Sequence, residues 1–332
     1  MYDEFELIER IATVFPTPEG VTLGIGDDCA ILDPGRFDLV TTDTLVEGVH
    51  FRRDFSSPQD IGWKALASSL SDIAAMGGGP GAFFLNLTLG PNDDKTFVDG
   101  LLEGMRQAAE ALTPNGFEVS VGGGDTTSTS GPTVVTVTLL GESSPAGPVT
   151  RSGAFPGDRI IVLGEMGIAA AGLAILKGEF EVNAADYPAL IEAHRRPRPR
   201  VHEGALLGLL GVPSAMLDVS DGLAQDLQHI LKRSGAGASI ETHNLPRHPE
   251  LLKFCEETGT DPLDWMLSGG EDFELIIVAP PARMTKIWDL ARRHEWNVYD
   301  IGEIRAQEEG LRILASDGTP ITKDFKGYRH FA

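Results

Sequence analysis

Leu39-Val40-Thr41-Thr42-Asp43-Thr44-Leu45-Val46 is the stretch whose reading decides the fold. It is rich in β-branched and apolar side chains, and so predicts a strand that ends near acidic and glycine residues. A helix follows. Ser57 and Pro58 supply its start signals, apolar residues recur at Trp63, Leu66, Leu70 and Ile73, and Gly77-Gly78-Gly79-Pro80 ends the pattern. Further along, Ala82 to Leu89 is strand-like and Phe97 to Leu112 is helical, while Glu118 to Val121 and Thr133 to Leu140 read as two more strands. Strands and helices in this order suggest α+β packing, not a repeated βαβ unit.

Gly141-Glu142-Ser143-Ser144-Pro145-Ala146-Gly147-Pro148 has the composition of a linker, which places a boundary between a domain over 1–146 and a second over 147–332. The second begins with a strand at Arg159 to Leu163, then a small-residue helix from Ala169 to Leu176 and a helix around Val201 to Leu210. A strand at Ala215 to Val219 leads into a helix from Leu223 to Lys232, which Ser234-Gly235-Ala236-Gly237 closes as a C-cap. Glu274 to Ala279, Met284 to His294 and a segment near Val298 read as strand, helix and strand.

The 332 residues are 42% apolar and 23% charged, enough for a full core and long enough to expect two domains. The first residues, Met1-Tyr2-Asp3-Glu4-Phe5-Glu6, are acidic where a secretory signal would be basic and then apolar, and no run of about 18 apolar residues occurs. With Cys29 and Cys255 alone there is no disulfide framework, so the sequence reads as a soluble protein of the reducing cytosol, without a membrane partner. A net charge of −22 argues against a nucleic-acid groove, because backbone phosphates would be repelled. An acidic chain that handles anionic substrates must reverse the local sign, and divalent cations do so most directly.

Five segments place an aspartate beside glycine or at the end of an apolar run: Gly24-Ile25-Gly26-Asp27-Asp28, Thr41-Thr42-Asp43-Thr44, Ser71-Asp72, Gly122-Gly123-Gly124-Asp125-Thr126-Thr127 and Asp218-Val219-Ser220-Asp221-Gly222. Magnesium takes oxygen ligands, usually one or two carboxylates with waters and substrate phosphates, and scattered aspartates suit it. Asp72 shares a helix face with Ile61, Ala65 and Ser68, so its charge needs a partner; a cation and an ordinary contact with water or Lys64 are both open. The glycines before Asp125 would let backbone N–H groups approach a phosphate, but they equally mark a turn. Asp221 equally reads as a helix cap and Asp218 as a turn residue. Glu271, in Ser268-Gly269-Gly270-Glu271-Asp272-Phe273-Glu274-Leu275, could accept hydrogen bonds from an amine-bearing ligand, and Arg151 could clamp a phosphate. Arg195 to Arg200 reads as an ion-pair loop, and His50 as a substrate contact or a structural histidine. No nucleophile-and-base motif is present.

Taken in order, Gly24 to Cys29, Thr42 to Phe51, Lys64 to Gly77, Gly123 to Thr127, Arg151 to Gly157, Leu217 to Leu223, Ser268 to Leu275 and the tail Asp324 to Phe331 resemble the thiamine-monophosphate kinases, of the superfamily that includes aminoimidazole ribonucleotide synthetase. The resemblance spans nearly the whole chain. It implies the two-domain α+β / α/β architecture of that superfamily, with an N-terminal mixed-sheet domain that helps form a homodimer, a C-terminal α/β domain, and ATP in a cleft between them. It further implies that Asp28, Thr41, Thr42, Asp43, Asp72, Asp125 and Asp218 bind several magnesium ions, with Asp221 holding a further one; Asp27 has no settled part. Gly124, Asp125, Arg151 and Ser220 would contact ATP, and His50, Glu271 and Tyr328 the thiamine monophosphate. The implied reaction is direct in-line phosphoryl transfer giving ADP and thiamine diphosphate.

Other readings differ in the acceptor or in the class. Selenophosphate synthetase is weakened by the missing N-terminal reactive cysteine loop, and the hydrogenase-maturation relative by the ending His330-Phe331-Ala332, which has no cysteine. A non-catalytic divalent-ion or nucleotide-binding protein is the reading from another class.

Overall fold

The computed structural model describes residues 21–23, 30–32 and 37–329. Its elements in chain order are β1 (Val21–Leu23), β2 (Ala30–Leu32), β3 (Leu39–Val46), α1 (Pro58–Ala75), β4 (Gly79–Leu89), α2 (Lys95–Leu112), β5 (Ser120–Ser128) and β6 (Val134–Glu142). There follow β7 (Arg159–Leu163), α3 (Ile168–Leu176), α4 (Pro188–Arg195), α5 (Val201–Leu209), β8 (Ala215–Val219), α6 (Leu223–Ser234) and β9 (Ala236–Glu241). The chain ends with α7 (Pro249–Thr258), α8 (Pro262–Ser268), β10 (Glu274–Ala279), α9 (Met284–His294), β11 (Val298–Ala306) and β12 (Leu311–Leu314). Contacts group these into two compact units. One holds Thr17–Gly147 and Arg195–Leu209; the described residues of the other fall in Pro148–His194 and Leu210–Ala332.

The first unit carries a sheet in the order β1-β2-β3-β6-β4-β5. Its pairs are antiparallel except β4 with β5, as an α+β arrangement requires. Helix α1 starts as the sequence predicts. Ser57 Oγ accepts from Asp60 N–H at 3.2 Å while Asp60 Oδ2 accepts from Ser57 N–H at 3.1 Å, a reciprocal cap with Pro58 behind it. The helix is then buried almost throughout, including Lys64, whose Nζ donates to the His50 carbonyl at 3.2 Å.

A continuous second domain over 147–332 has one exception, because Arg195–Leu209 belongs with the first unit. The reason lies in α5. A side chain at Gly204 would sit 2.3 Å from Ala74 O and one at Gly208 2.1 Å from Gly77 O, so glycine lets α5 lie directly on the end of α1. The arginine run upstream is engaged: Arg196 Nε donates to Asp60 Oδ1 at 2.6 Å, the Arg196 and Arg198 guanidiniums lie over Trp63, and Trp63 Nε1 donates to Pro197 O at 2.8 Å.

The second unit has a sheet in the order β12-β9-β11-β7-β10-β8, antiparallel apart from β12 with β9. Both β8 and β10 are buried at every residue, which fits their apolar character apart from Asp218 and Glu274. Seven helical or strand segments were not expected from the sequence: β1, β2, α4, α7, α8, β12 and β9, the last in a stretch that reads as helix cap. Strand β5 also runs past the Glu118 to Val121 expected and takes in Gly124 and Asp125. Among the described residues, no helix is long and apolar enough to cross a membrane.

Candidate functional site

Side-chain alternation on β3 sorts the first group of acids. Thr41 and Asp43 face α1, where Thr41 Oγ1 donates to Asp72 Oδ2 and Ser69 Oγ donates to Asp43 Oδ2 at 2.8 Å. Both aspartates remain half-buried, each with a neighbouring hydroxyl donating to it. Thr42 and Thr44 point to the opposite face, where they share hydrogen bonds with Thr138 and Thr136 of β6 at 3.0 and 2.9 Å. The Thr42 hydroxyl is therefore separated from the Thr41, Asp43 and Asp72 group. His50 Nδ1 accepts from Val46 N–H at 3.0 Å, which leaves the proton of a neutral ring on Nε2.

Gly124 and Asp125 do not form a turn. They lie within β5, opposite Leu85 and Asn86 of β4, and are exposed. Gly124 has φ +152, and a Cβ there would fall 1.8 Å from Leu85 O, so the close strand approach excludes any other residue. Asp27 and Asp28 lie outside the described residues. A surface cavity of about 330 Å3 opens beside the start of α1, with Arg53 and Arg195 in its lining, and none of the expected site residues lines it.

In the second unit, the segment from Asp218 to Gly222 is locked by backbone hydrogen bonds. Asp218 lies on β8 and is buried, not in a turn. Asp221 does not cap α6. Instead Asp226, from the first turn of the helix, reaches back, and one of its oxygens accepts from the N–H groups of Ser220, Asp221 and Gly222 at 3.1, 3.0 and 3.0 Å. Burial, with the charges of Asp221 and Asp218, pushes the Asp226 carboxyl well above the usual carboxylate range. Asp226 was missed in the sequence because an acid in a first helical turn reads as a complement to the helix dipole.

Two further strands of chain close on the same loop. Glu271 N–H donates to Ser220 O at 2.7 Å and Phe273 N–H to Val219 O at 2.8 Å, while Tyr328 N–H donates to Asp221 O at 3.0 Å. Gln225 Nε2 ties the tail down by donating to Tyr328 O at 3.0 Å and to Asp221 Oδ2 at 3.3 Å. Ser220, Asp221, Glu271 and Tyr328, far apart in sequence, thus meet around one loop. The Arg151 carbonyl accepts from Ser234 Oγ at 3.3 Å, and the Arg151 charge, added to burial and ahead of that of Lys232, helps hold His229 down to about 4.

Could these residues hold magnesium? Among the described residues, no three His, Cys, Asp or Glu side chains converge tightly enough to hold a metal by themselves. Magnesium asks for less, one or two carboxylates completed by waters and substrate phosphates. The donors here are carboxylates and hydroxyls, hard oxygen ligands. Burial first, and then the charges of Asp221 and Asp218, raise Asp226; a cation would relieve the second of these, and the hard oxygen donors fit the ion.

The sequence matches the family described as AIR synthase related protein, N-terminal domain, over residues 26–143, and its C-terminal counterpart over residues 156–313. The thiamine-monophosphate kinase of Escherichia coli strain K12 is 41% identical over 99% of this chain and 98% of its own. That of Bacillus subtilis is 36% identical over 99% of both. Among solved structures, AaThiL complexed with AMPPCP and TMP superposes with a TM-score of 0.84 at 31% identity, covering 99% of this chain and 97% of that one.

Proposed function

The chain belongs to the thiamine-monophosphate kinase family, phosphotransferases built from two AIR-synthase-related domains, and we propose that it moves the terminal phosphoryl group of ATP directly and in line onto the phosphate of thiamine monophosphate. One observation carries this reading: Ser220 and Asp221, expected at the nucleotide and metal, are hydrogen-bonded through their carbonyls to Glu271 and Tyr328, expected at the acceptor. Donor and acceptor contacts are built into a single loop cluster. The related protein solved with the ATP analogue AMPPCP and TMP supports the same pair of ligands.

In this reading Asp28, Thr41, Asp43, Asp72, Asp125, Asp218 and Asp221 hold magnesium, which when bound supplies charge neutralisation at the transferring phosphoryl group. Thr42 is set aside because its hydroxyl faces Thr138. Gly124 and Asp125 present an open strand segment to the nucleotide, and Arg151 and Ser220 fix its phosphates. His50 offers Nε2–H and Glu271 a carboxylate to the acceptor, and the half-exposed Tyr328 ring offers an apolar face. No general base is needed. The second pKa of a phosphate monoester is about 6, so the acceptor is already an anionic nucleophile at neutral pH. A homodimer, with exposed Phe84 and the threonine rungs of β3 and β6 on its surface, and a cytosolic location belong to the same proposal.

Purified protein with MgATP and either thiamine monophosphate or free thiamine, with products separated by chromatography, tests the reading. Thiamine diphosphate should appear from the monophosphate alone. ADP released without it points to another acceptor, and nucleotide binding without turnover to a binding module.

A further inference from the structure

Tyr328 is carried by the last described stretch of chain, and the way that stretch is held singles out Gln225. Phe325 is buried in the core of the second unit, and the residues beyond it, Lys326 to Arg329, are exposed or half-buried. Hydrogen bonds to the loop fix their course. Tyr328 N–H donates to Asp221 O at 3.0 Å, and Gln225 Nε2 donates to Tyr328 O at 3.0 Å and to Asp221 Oδ2 at 3.3 Å. At Gly327 the two segments touch, since a Cβ there would fall 2.5 Å from Asp221 O and 2.9 Å from Gln225 Cβ.

Glutamine is the residue type this bridge demands. Both partners are acceptors, a carbonyl and a carboxylate, so only the NH2 end of the amide can face them, and its two N–H groups serve one each. A glutamate would set a second carboxylate against Asp221. The side chain is 8% exposed although it stands in the first turn of α6, and a polar group buried there is held by its partners. Its neighbour Asp226 takes up the loop's N–H groups, so adjacent residues of one helix serve the loop's donors and its acceptors. A buried glutamine is often no more than packing, but this one joins the loop expected at the metal to the segment expected at the acceptor. None of the sequence motifs includes it.

We propose that Gln225 is a positioning residue for acceptor binding: its amide docks the tail on the Asp221 loop, so that Tyr328 stands in register with that loop before the acceptor arrives. This rests on the reading of Asp221 as a metal ligand and of Tyr328 as an acceptor contact. A segment ordered beforehand does not have to give up that freedom when the ligand binds, which favours binding without entering the chemical step.

The test uses the full-length protein and the variants Gln225→Met, Gln225→Lys and Gly327→Ala, with KM for thiamine monophosphate, KM for ATP and kcat measured separately at saturating magnesium. Gln225→Met keeps the length of the side chain but donates nothing. It should raise KM for thiamine monophosphate by about fivefold, the loss expected for one net hydrogen bond, and leave kcat and KM for ATP within about twofold. Gln225→Lys, which keeps N–H donors at that reach, should lose less than the methionine variant, whereas a packing role alone would rank the two the other way. Gly327→Ala should raise the same KM, and combined with Gln225→Met should cost less than the two losses together, because both undo one contact. Tail docking is read independently by trypsin cleavage after Lys326 under native conditions, which Gln225→Met should quicken by about threefold or more. A loss in Gln225→Lys equal to that in Gln225→Met, equal rises in both KM values, or unchanged cleavage would overturn the role of Gln225. Cleavage that quickens while KM for thiamine monophosphate stays put would show a docked tail that does not serve the acceptor, and the reading of Tyr328 itself fails.

Discussion

The two groups of candidate ligands are presented by different means. In the first unit Asp43 and Asp72 stand on a strand and a helix, and each is steadied by a neighbouring hydroxyl, Ser69 or Thr41. In the second, Ser220 and Asp221 sit on a loop whose N–H groups point into Asp226 and whose carbonyls receive Glu271 and Tyr328. A side chain on a regular element can be altered with the scaffold intact. A loop held by its own backbone cannot lose its central acceptor without changing shape.

That contrast can be broken most decisively at Asp226. Replacing it with alanine strips the acceptor from three N–H groups, and the unfolding free energy in urea should fall by about 3 kcal/mol or more. Asp226→Asn, which keeps an acceptor oxygen, should lose less. A loss under about 0.5 kcal/mol for the alanine variant would mean the loop is held by something else.

The second unit should also carry a pH dependence. His229 is held down to about 4, against an ordinary 6.5, by burial first and then by the charges of Arg151 and Lys232. Between those values the unfolded chain takes up a proton that the folded chain refuses. Stability is thus complete above about 6.5 and drains as pH falls toward 4, by up to roughly 3 kcal/mol. Denaturation at pH 7 and pH 4.5 should reveal this slope, and His229→Gln should flatten it. An unchanged slope in that variant would assign the acid sensitivity to other groups.

In the first unit the effect should fall on activity alone. Asp43→Asn and Asp72→Asn should each lose more than about tenfold in turnover, with Tm within about 2 °C of the parent. Near-normal turnover in both would remove these residues from the metal site. Smallest of all, Thr42→Val should change turnover by less than about twofold and stability by about 0.5 kcal/mol, the cost of one cross-strand hydroxyl pair. A large loss there would return Thr42 to the ligand set.

The same contrast governs what the sequence made legible. Strand β3 and helix α1 were readable because hydrophobic period and capping residues are local signals, and Asp72 stood out as an acid on an otherwise small and apolar face. Strand β5 was cut short because its glycines read as a turn, whereas pairing with β4 extends it through Asp125. Strand β9 was hidden in the same way: Ala236, Gly237 and Ala238 have little strand preference and are held by β11 and β12 on either side. At the site, residue types could be listed from the sequence, but the meeting of Glu271 and Tyr328 on Ser220 and Asp221 could not. Main-chain hydrogen bonds carry no residue signature, and Asp226 acts through such contacts.

The return of Arg195–Leu209 to the first unit bears on any attempt to dissect this protein. From Gly147 onward the polypeptide passes from one unit to the other three times, so no single cut yields both pieces whole. A fragment ending at Gly147 would lack α5 and bare the end of α1 at Ala74 and Gly77, and Trp63 would lose the Pro197 carbonyl it donates to. Such a fragment should aggregate, and supplying a peptide that spans Arg195–Leu209 in trans should restore its solubility.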